Sequence, residues 1–338
     1  LLYSMMKLTT SGIITNFYYI INMYRVEKYN EIFKKDWDNF VRGSKNGTFI
    51  LLRDYMDYHK DKFHDNSLLV YKNNKLIILL PANRFQNTLY SHQGLTYGGF
   101  IMSKSVSTID VLEAFKLILS ILINEGFDKF IYKPIPYIYH KIPAQEDLYA
   151  LFRYNAKVTG CQLSSAIFQR NKLKFTESRK SGIRKAKSNN VQICETDDFT
   201  LFWEVLTNNL LKIYNTKPVH TLYEISYLKS LFPDNIKLFI TINGDKVTGG
   251  TVVYISDMTV HIQYIAASDE GKSSGVLDLL FDYLINEKYL SKPFFDFGYS
   301  TENSGSILNE SLIFQKEGFG GRGVVYYTFE FELNTISL

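Results

Sequence analysis

At 338 residues with 46% hydrophobic side chains, the chain exceeds one ordinary domain and can bury a large core, so two domains are the default. A net charge of +4 is too mild to demand nucleic acid; DNA is not expected as a partner, and any basic patch has to be a local feature. Two cysteines, Cys161 and Cys194, give no disulfide framework, and none of the six histidines (His59, His64, His92, His140, His220, His261) falls in a zinc-like cluster, so no metal is expected and the setting reads as cytoplasmic.

Residues 1–22 read as an appended or disordered leader: the apolar run from Gly12 to Met23 is too short for a membrane helix and lacks a small-residue cleavage site. No integral membrane segment is expected, and peripheral membrane contact stays open. Tyr24 to Val41 reads as a strand and a helix entry, and Asp54 to His59 as a helical patch. Ser67–Tyr71 and Leu76–Ala82 form a hairpin, with Asn73 and Asn74 at the reversal. Leu89–Tyr97 continues the sheet, and Gly98 and Gly99 turn it. Thr108–Glu125 is an amphipathic helix with Val111, Leu112, Phe115, Leu119 and Leu122 on one stripe, stopped by Gly126. A strand at Lys129–Tyr132, a helix at Gln145–Tyr154 and a strand at Val158–Phe168 complete this half.

Arg170 to Asn190 is the strongest positive concentration in the chain, and a helix from about Glu177 carries basic residues on most of its girth. It reads either as a solvated linker or as an anion-binding surface. Beyond it come hairpin strands at Lys237–Thr241 and Val247–Ile255, then an apolar strand at Thr259–Ala266. A loop, Ser268–Gly275, leads into a helix with Val276, Leu277, Leu279, Leu280, Tyr283 and Leu284 on one face. Backbone N–H groups at that junction make the loop a candidate anion seat. Phe294–Phe297 is a short strand ending at Gly298; Asn303 or Ser304 caps a helix with Ile307, Leu308, Leu312 and Ile313, which stops at Gly318, and Val324–Phe331 alternates as the last strand. The order of element types in the first half recurs in the second, as in a duplicated domain.

With FDFG at Phe295–Gly298 and KEGFGG at Lys316–Gly321, the chain resembles the GNAT acyltransferase superfamily, and within it the branch containing the Fem aminoacyltransferases of peptidoglycan bridges. The resemblance covers about Tyr24 to Phe331. It implies an α/β fold (α+β mixed sheets): two tandem GNAT-like domains, residues 23–169 and 191–338, joined by the basic junction 170–190, each a mostly antiparallel mixed sheet flanked by helices. It also implies an acyltransferase moving an acyl group from acyl-CoA, such as acetyl-CoA, to an amine on an amino sugar or cell-envelope precursor. The acceptor is then a small molecule or a nucleotide- or lipid-linked sugar. An aminoacyl-tRNA donor, and a non-catalytic binding protein of the same fold, are the alternatives.

The resemblance places the donor on Ala266, Gly271, Lys272, Ser274 and Gly275, and an anionic substrate on Arg179, Arg184 and Lys185. Of the superfamily's Q/R-x-x-G-x-G/A signature only Gly271 and Gly275 remain, with Lys272 between them, which leaves open a donor held differently. Phe314 stands where a tyrosine often protonates the leaving thiolate. Lys316 matches a lysine beside the reacting groups; as a residue alone it reads equally as a surface lysine in a last helical turn. Asp296 and Tyr299, at the end of a short central strand, read as catalytic or as a loop cap. His92, in a polar glycine-rich turn, either lines the cleft and binds acceptor or satisfies loop backbone.

Overall fold

A computed structural model describes residues 23–335, so the expected leader at 1–22 lies outside the described residues. The first half holds β1 (Tyr24–Lys28), α1 (Lys34–Gly43), α2 (Arg53–Met56), β2 (His64–Asp65), β3 (Leu68–Lys72), β4 (Lys75–Leu80), β5 (Asn83–Phe85), β6 (Thr88–Tyr90), β7 (Ile101–Met102), α3 (Thr108–Asn124), β8 (Lys129–Tyr132), α4 (Glu146–Arg153) and β9 (Lys157–Phe168). The remainder holds α5 (Glu177–Ser188), β10 (Gln192–Thr196), α6 (Thr200–Tyr214), α7 (Leu222–Leu231), β11 (Ile236–Asn243), β12 (Lys246–Ile255), β13 (Thr259–Ala267), α8 (Asp269–Ser274), α9 (Val276–Tyr283), β14 (Phe294–Tyr299), β15 (Thr301–Glu302), β16 (Ile307–Leu308), α10 (Glu310–Gly318) and β17 (Arg322–Glu332). The sequence reading passes over α6 and α7.

Local chemistry explains the sharpest boundaries. Asn73 and Asn74 both take positive φ, which the two-residue reversal between β3 and β4 requires and which asparagine tolerates better than most residues. Helix α3 opens on a capping box: Ser107 Oγ accepts from the Asp110 amide at 3.2 Å while the Asp110 carboxylate accepts from the Ser107 amide at 2.9 Å. Its Val111, Phe115, Ile118, Leu119 and Leu122 face the core, and Gly126, at φ +76°, ends it. The helix expected from Asn303 starts instead at Glu310, capped by Asn309, whose side chain accepts from the Leu312 amide. Asn303 and Ser304 adopt left-handed backbone, at φ 47° and 54°, so the chain there makes a tight turn and the small β15–β16 pair.

The fold is mixed α/β. One antiparallel sheet has the order β1-β3-β4-β7, and an 11-stranded mixed sheet runs β10-β11-β12-β13-β14-β9-β17-β8-β6-β5-β2. The large sheet is continuous across the two halves of the chain, because β9 lies between β14 and β17 and β17 pairs in turn with β8. Helix α3 backs one core, containing Phe100, Phe115 and Phe130; α6 and α7 help close a second, with Phe202, Trp203 and Leu228.

One feature of this sheet positions the candidate site. Strands β13 and β14 are parallel and paired only at Thr259↔Phe294, Val260↔Phe295 and His261↔Asp296. Beyond that pair they part, although β13 runs on to Ala267 and β14 to Tyr299. Both are irregular at the parting: β13 bulges between Ile262 and Tyr264, and β14 slips against β9 between Asp296 and Tyr299.

Candidate active site

Asp296 is the last residue of β14 that pairs with β13 and is fully buried. One of its oxygens accepts from Ser164 Oγ and from the Gly298 amide at 3.2 Å; the other accepts from Tyr326 Oη at 2.6 Å, His261 Nδ1 at 2.8 Å and Tyr139 Oη at 3.1 Å. Burial pushes its pKa up, but the bond and charge of His261 and the hydroxyl donors outweigh burial and hold the carboxyl at about 2. An ionised Asp296 can only accept, so the 2.8 Å contact places a proton on His261 Nδ1. Gly298, at φ +76°, turns the backbone in a way a side chain would resist, and a Cβ there would stand 3.3 Å from His261 Cε1.

His261 and Gln263 lie on the wall of a 360 Å³ cavity lined by both halves of the chain. Tyr55, Tyr58, His59 and Tyr139 come from the first half, and His220 and Tyr254 from the second. Burial keeps His59 below the usual imidazole range and takes His220 down to about 4, so these rings are uncharged near neutrality.

Lys316 is buried, not a surface lysine in a last helical turn. Its ammonium donates to the carbonyls of Gly298 at 2.8 Å and Tyr299 at 2.5 Å, clamping β14 two and three residues past Asp296. Burial pulls its pKa down to about 8, opposed by the Asp296 charge. Tyr299 packs edge-on against Tyr326 at 5.0 Å. Lys316, Asp296 and Tyr299 are thus brought together, and His261, Tyr139, Tyr326 and Ser164 join them unannounced by any local motif. A signal for His261 did exist: a strand, helix, strand unit with parallel pairing aligns the interior of Thr259–Ala267 with Phe294–Phe297.

The other sequence-derived positions lie elsewhere. His92 is buried at φ +66° and stacks behind His59 at 5.8 Å, with burial taking it down to about 3. Arg179 is committed to the fold: it pairs with Asp278 of α9 at 2.7 Å and sits 5.3 Å from the Phe319 ring. Arg184 and Lys185 are exposed on α5, and Arg184 lines a separate 480 Å³ recess together with Lys174 and Lys180.

The segment Ser268–Gly275 is not a loop. It forms helix α8, because Ser268 caps it by accepting from the Gly271 amide at 3.1 Å, and the Lys272 and Gly275 amides donate to the carbonyls of Ser268 and Lys272. Ser274 Oγ donates to the Glu270 carbonyl, and Lys272 Nζ to Asn209. A Cβ on Gly271 would meet the Thr248 carbonyl oxygen at 2.2 Å, and one on Gly275 the Gly182 carbonyl oxygen of α5 at 2.4 Å. These glycines allow close packing of backbone on backbone, and α5 lies across the start of α9. Ala266 is buried within β13, paired with Gly250 of β12. Among the described residues no group of His, Cys, Asp and Glu could hold a metal ion, and no helix is long and apolar enough to cross a membrane.

The fold, large mixed sheets flanked by helices, is GNAT-like. The crystal structure of FemX is similar at a TM-score of 0.65 and 12% identity, over 91% of this chain and 98% of its own. L-PGS from Bacillus licheniformis is similar at a TM-score of 0.56 and 11% identity, over 89% of this chain and 91% of its own. The C-terminal domain of a putative lysylphosphatidylglycerol synthetase from Agrobacterium fabrum follows at 0.53 and 11%, over 75% and 81%. At these identities the likeness is one of fold. No family model matches the chain, and no curated protein matches it in sequence.

Proposed function

We propose that the protein transfers an acyl or aminoacyl group to an amine at the cavity where β13 and β14 part. The observation that carries this reading is His261: a wall residue whose Nδ1 is held at 2.8 Å by a fully buried carboxylate, leaving Nε2 toward the reacting groups. The amine attacks the carbonyl carbon of an ester or thioester, His261 Nε2 takes the amine proton, and that proton goes to the departing oxygen or sulfur as the amide forms. Asp296 orients the imidazole. The edge of β13 past His261, which has no β14 partner, supplies the backbone that faces the developing oxyanion. Lys316 positions the site by fixing the two carbonyls that follow Asp296, and Tyr299 braces Tyr326.

For the donor we favour an aminoacyl-tRNA over acyl-CoA. The amides of Gly271, Lys272 and Gly275 are spent inside α8, and α5 covers the start of α9. Lys174, Lys185 and Lys187 make no ion pair among the described residues, so the junction offers a polyanion what the α8 segment does not. The acceptor amine belongs to a small molecule or an envelope precursor, as the resemblance implies, and a tRNA donor would put the reaction in the cytoplasm.

Hydroxylamine, a small generic amine, makes the test independent of the true acceptor. Hydroxamate should form faster than the uncatalysed reaction from an aminoacyl-tRNA, and only at the uncatalysed rate from acetyl-CoA. Turnover of acetyl-CoA alone would overturn the donor assignment, and turnover of no donor would leave a binding protein.

A further inference from the structure

The cavity beside His261 has a chemistry of its own. Its walls are rings: Tyr58 stacks on His59 at 4.1 Å with planes 13° apart and on His220 at 5.7 Å, and Phe63 closes against His59 at 4.8 Å. Several polar atoms on those walls are committed to one another, while the buried His59 Nε2 has no partner among the described residues. Tyr55 Oη donates to Tyr254 Oη at 3.3 Å, the hydroxyls of Tyr97 and Thr48 are hydrogen-bonded to each other at 3.0 Å, His220 Nδ1 faces Tyr264 Oη at 2.5 Å, and Ser256 Oγ donates to the Thr259 carbonyl. A sugar entering here would strip water from several hydroxyls and find few partners for them.

Charge is excluded as well. Lys62 is the one wall residue with a permanent charge, and Glu224 neutralises it at 2.9 Å. Asp296 stands behind Tyr139 and His261 with all its donors already in place. Neither a carboxylate nor an ammonium would meet an uncompensated partner, so each would lose its hydration without return. An aromatic ring loses little water and gains ring edges and faces on several sides.

We infer that this cavity seats an uncharged aromatic group of the transferred residue or of the acceptor, with the reacting end at His261. The inference builds on the placement of the transfer site here and names the substrate group that the site selects.

Binding of simple ring ligands to the full chain tests it without any donor. By ligand-detected NMR and calorimetry, p-cresol should bind at least about tenfold more tightly than benzylamine or phenylacetate, and N-acetylglucosamine should show no saturable binding. Thr96→Trp and Val219→Trp, both changes at exposed positions on the cavity rim, should each weaken p-cresol by about tenfold or more while melting like wild type. A charged ring or the sugar binding as tightly as p-cresol, no binding of p-cresol, or p-cresol binding untouched by both variants would overturn the inference. If p-cresol binds as expected yet leaves hydroxamate formation unchanged, the ring site stands and the placement of the reaction at this cavity falls.

Discussion

Five donors converge on Asp296, and that concentration decides what its loss would do. Asp296→Asn keeps the shape but turns an amide nitrogen toward groups that themselves donate, so the expected destabilisation is about 3 to 5 kcal/mol, as for breaking a buried charge pair. Thermal melting at neutral pH reads it. The pH sense follows from linkage. The folded pKa of about 2 lies below the unfolded value near 3.8, so this stabilisation is present above about pH 4 and is lost as pH falls toward 2. Acid titration of the wild type should show that loss, and the Asn variant should lack it. Lys316→Met removes the donor from two carbonyls, so about 1 to 3 kcal/mol of stability should go. Its kcat and kcat/KM should fall together, by about two powers of ten, because the turn after Asp296 is no longer fixed. An unchanged turnover in a folded Lys316→Met protein would remove Lys316 from the site. Only the family resemblance singled out Lys316 in the sequence, because the two carbonyls it clamps are 17 and 18 residues away and come together only through tertiary packing.

Among the elements, α8, α9 and α5 make one unit, and its test is steric. Gly275→Ala adds a Cβ at φ +73°, 2.4 Å from the Gly182 carbonyl oxygen, so backbone must move and a loss of about 2 kcal/mol or more is expected by chemical denaturation. A neutral result would show that α5 does not press on α9. The basic face is a separate matter. Reversing Arg184 and Lys185 to Glu should weaken tRNA binding without lowering the melting point, and wild-type affinity should fall steeply with salt. Salt-independent binding would make the face a solvated surface. Elements with strong local chemistry were legible: the Asn73–Asn74 hairpin, α3 with its cap and stripe, and the strands Lys129–Tyr132 and Thr259–Ala266. Segment 268–275 was not, because the glycines that suggest a loop serve packing against Thr248 and Gly182, residues remote in sequence. The helix expected from Asn303 failed for a local reason, since Ile307 and Leu308 carry helical spacing yet Asn303 and Ser304 hold left-handed backbone.

At the scale of the molecule, the eleven-stranded sheet is what no local reading supplied. Parallel pairing of β13 with β14 and insertion of β9 beside them bring His261, Asp296 and Ser164 together from segments up to 132 residues apart. Tyr139 adds a group from the first half, and the cavity exists only where the halves meet. The first half carries its own pH signature in Asp147, which is fully enclosed and accepts from Tyr132 Oη at 2.9 Å. Burial pushes its pKa up to about 7, above the unfolded value of 3.8; the folded state therefore holds a proton the unfolded state has lost, and this group's contribution declines as pH rises from about 4 to about 7. Melting of Asp147→Asn should be flatter than wild type across that window, and an unchanged slope would place the titration elsewhere.

The central claim rests on one imidazole, and a single-turnover comparison of wild type with His261→Gln tests it most directly. With tyrosyl-tRNA and hydroxylamine, at a temperature where the variant is fully folded, the account predicts that enzyme-dependent transfer in His261→Gln slows by about two to four powers of ten. A folded His261→Gln protein that transfers at the wild-type rate would contradict it.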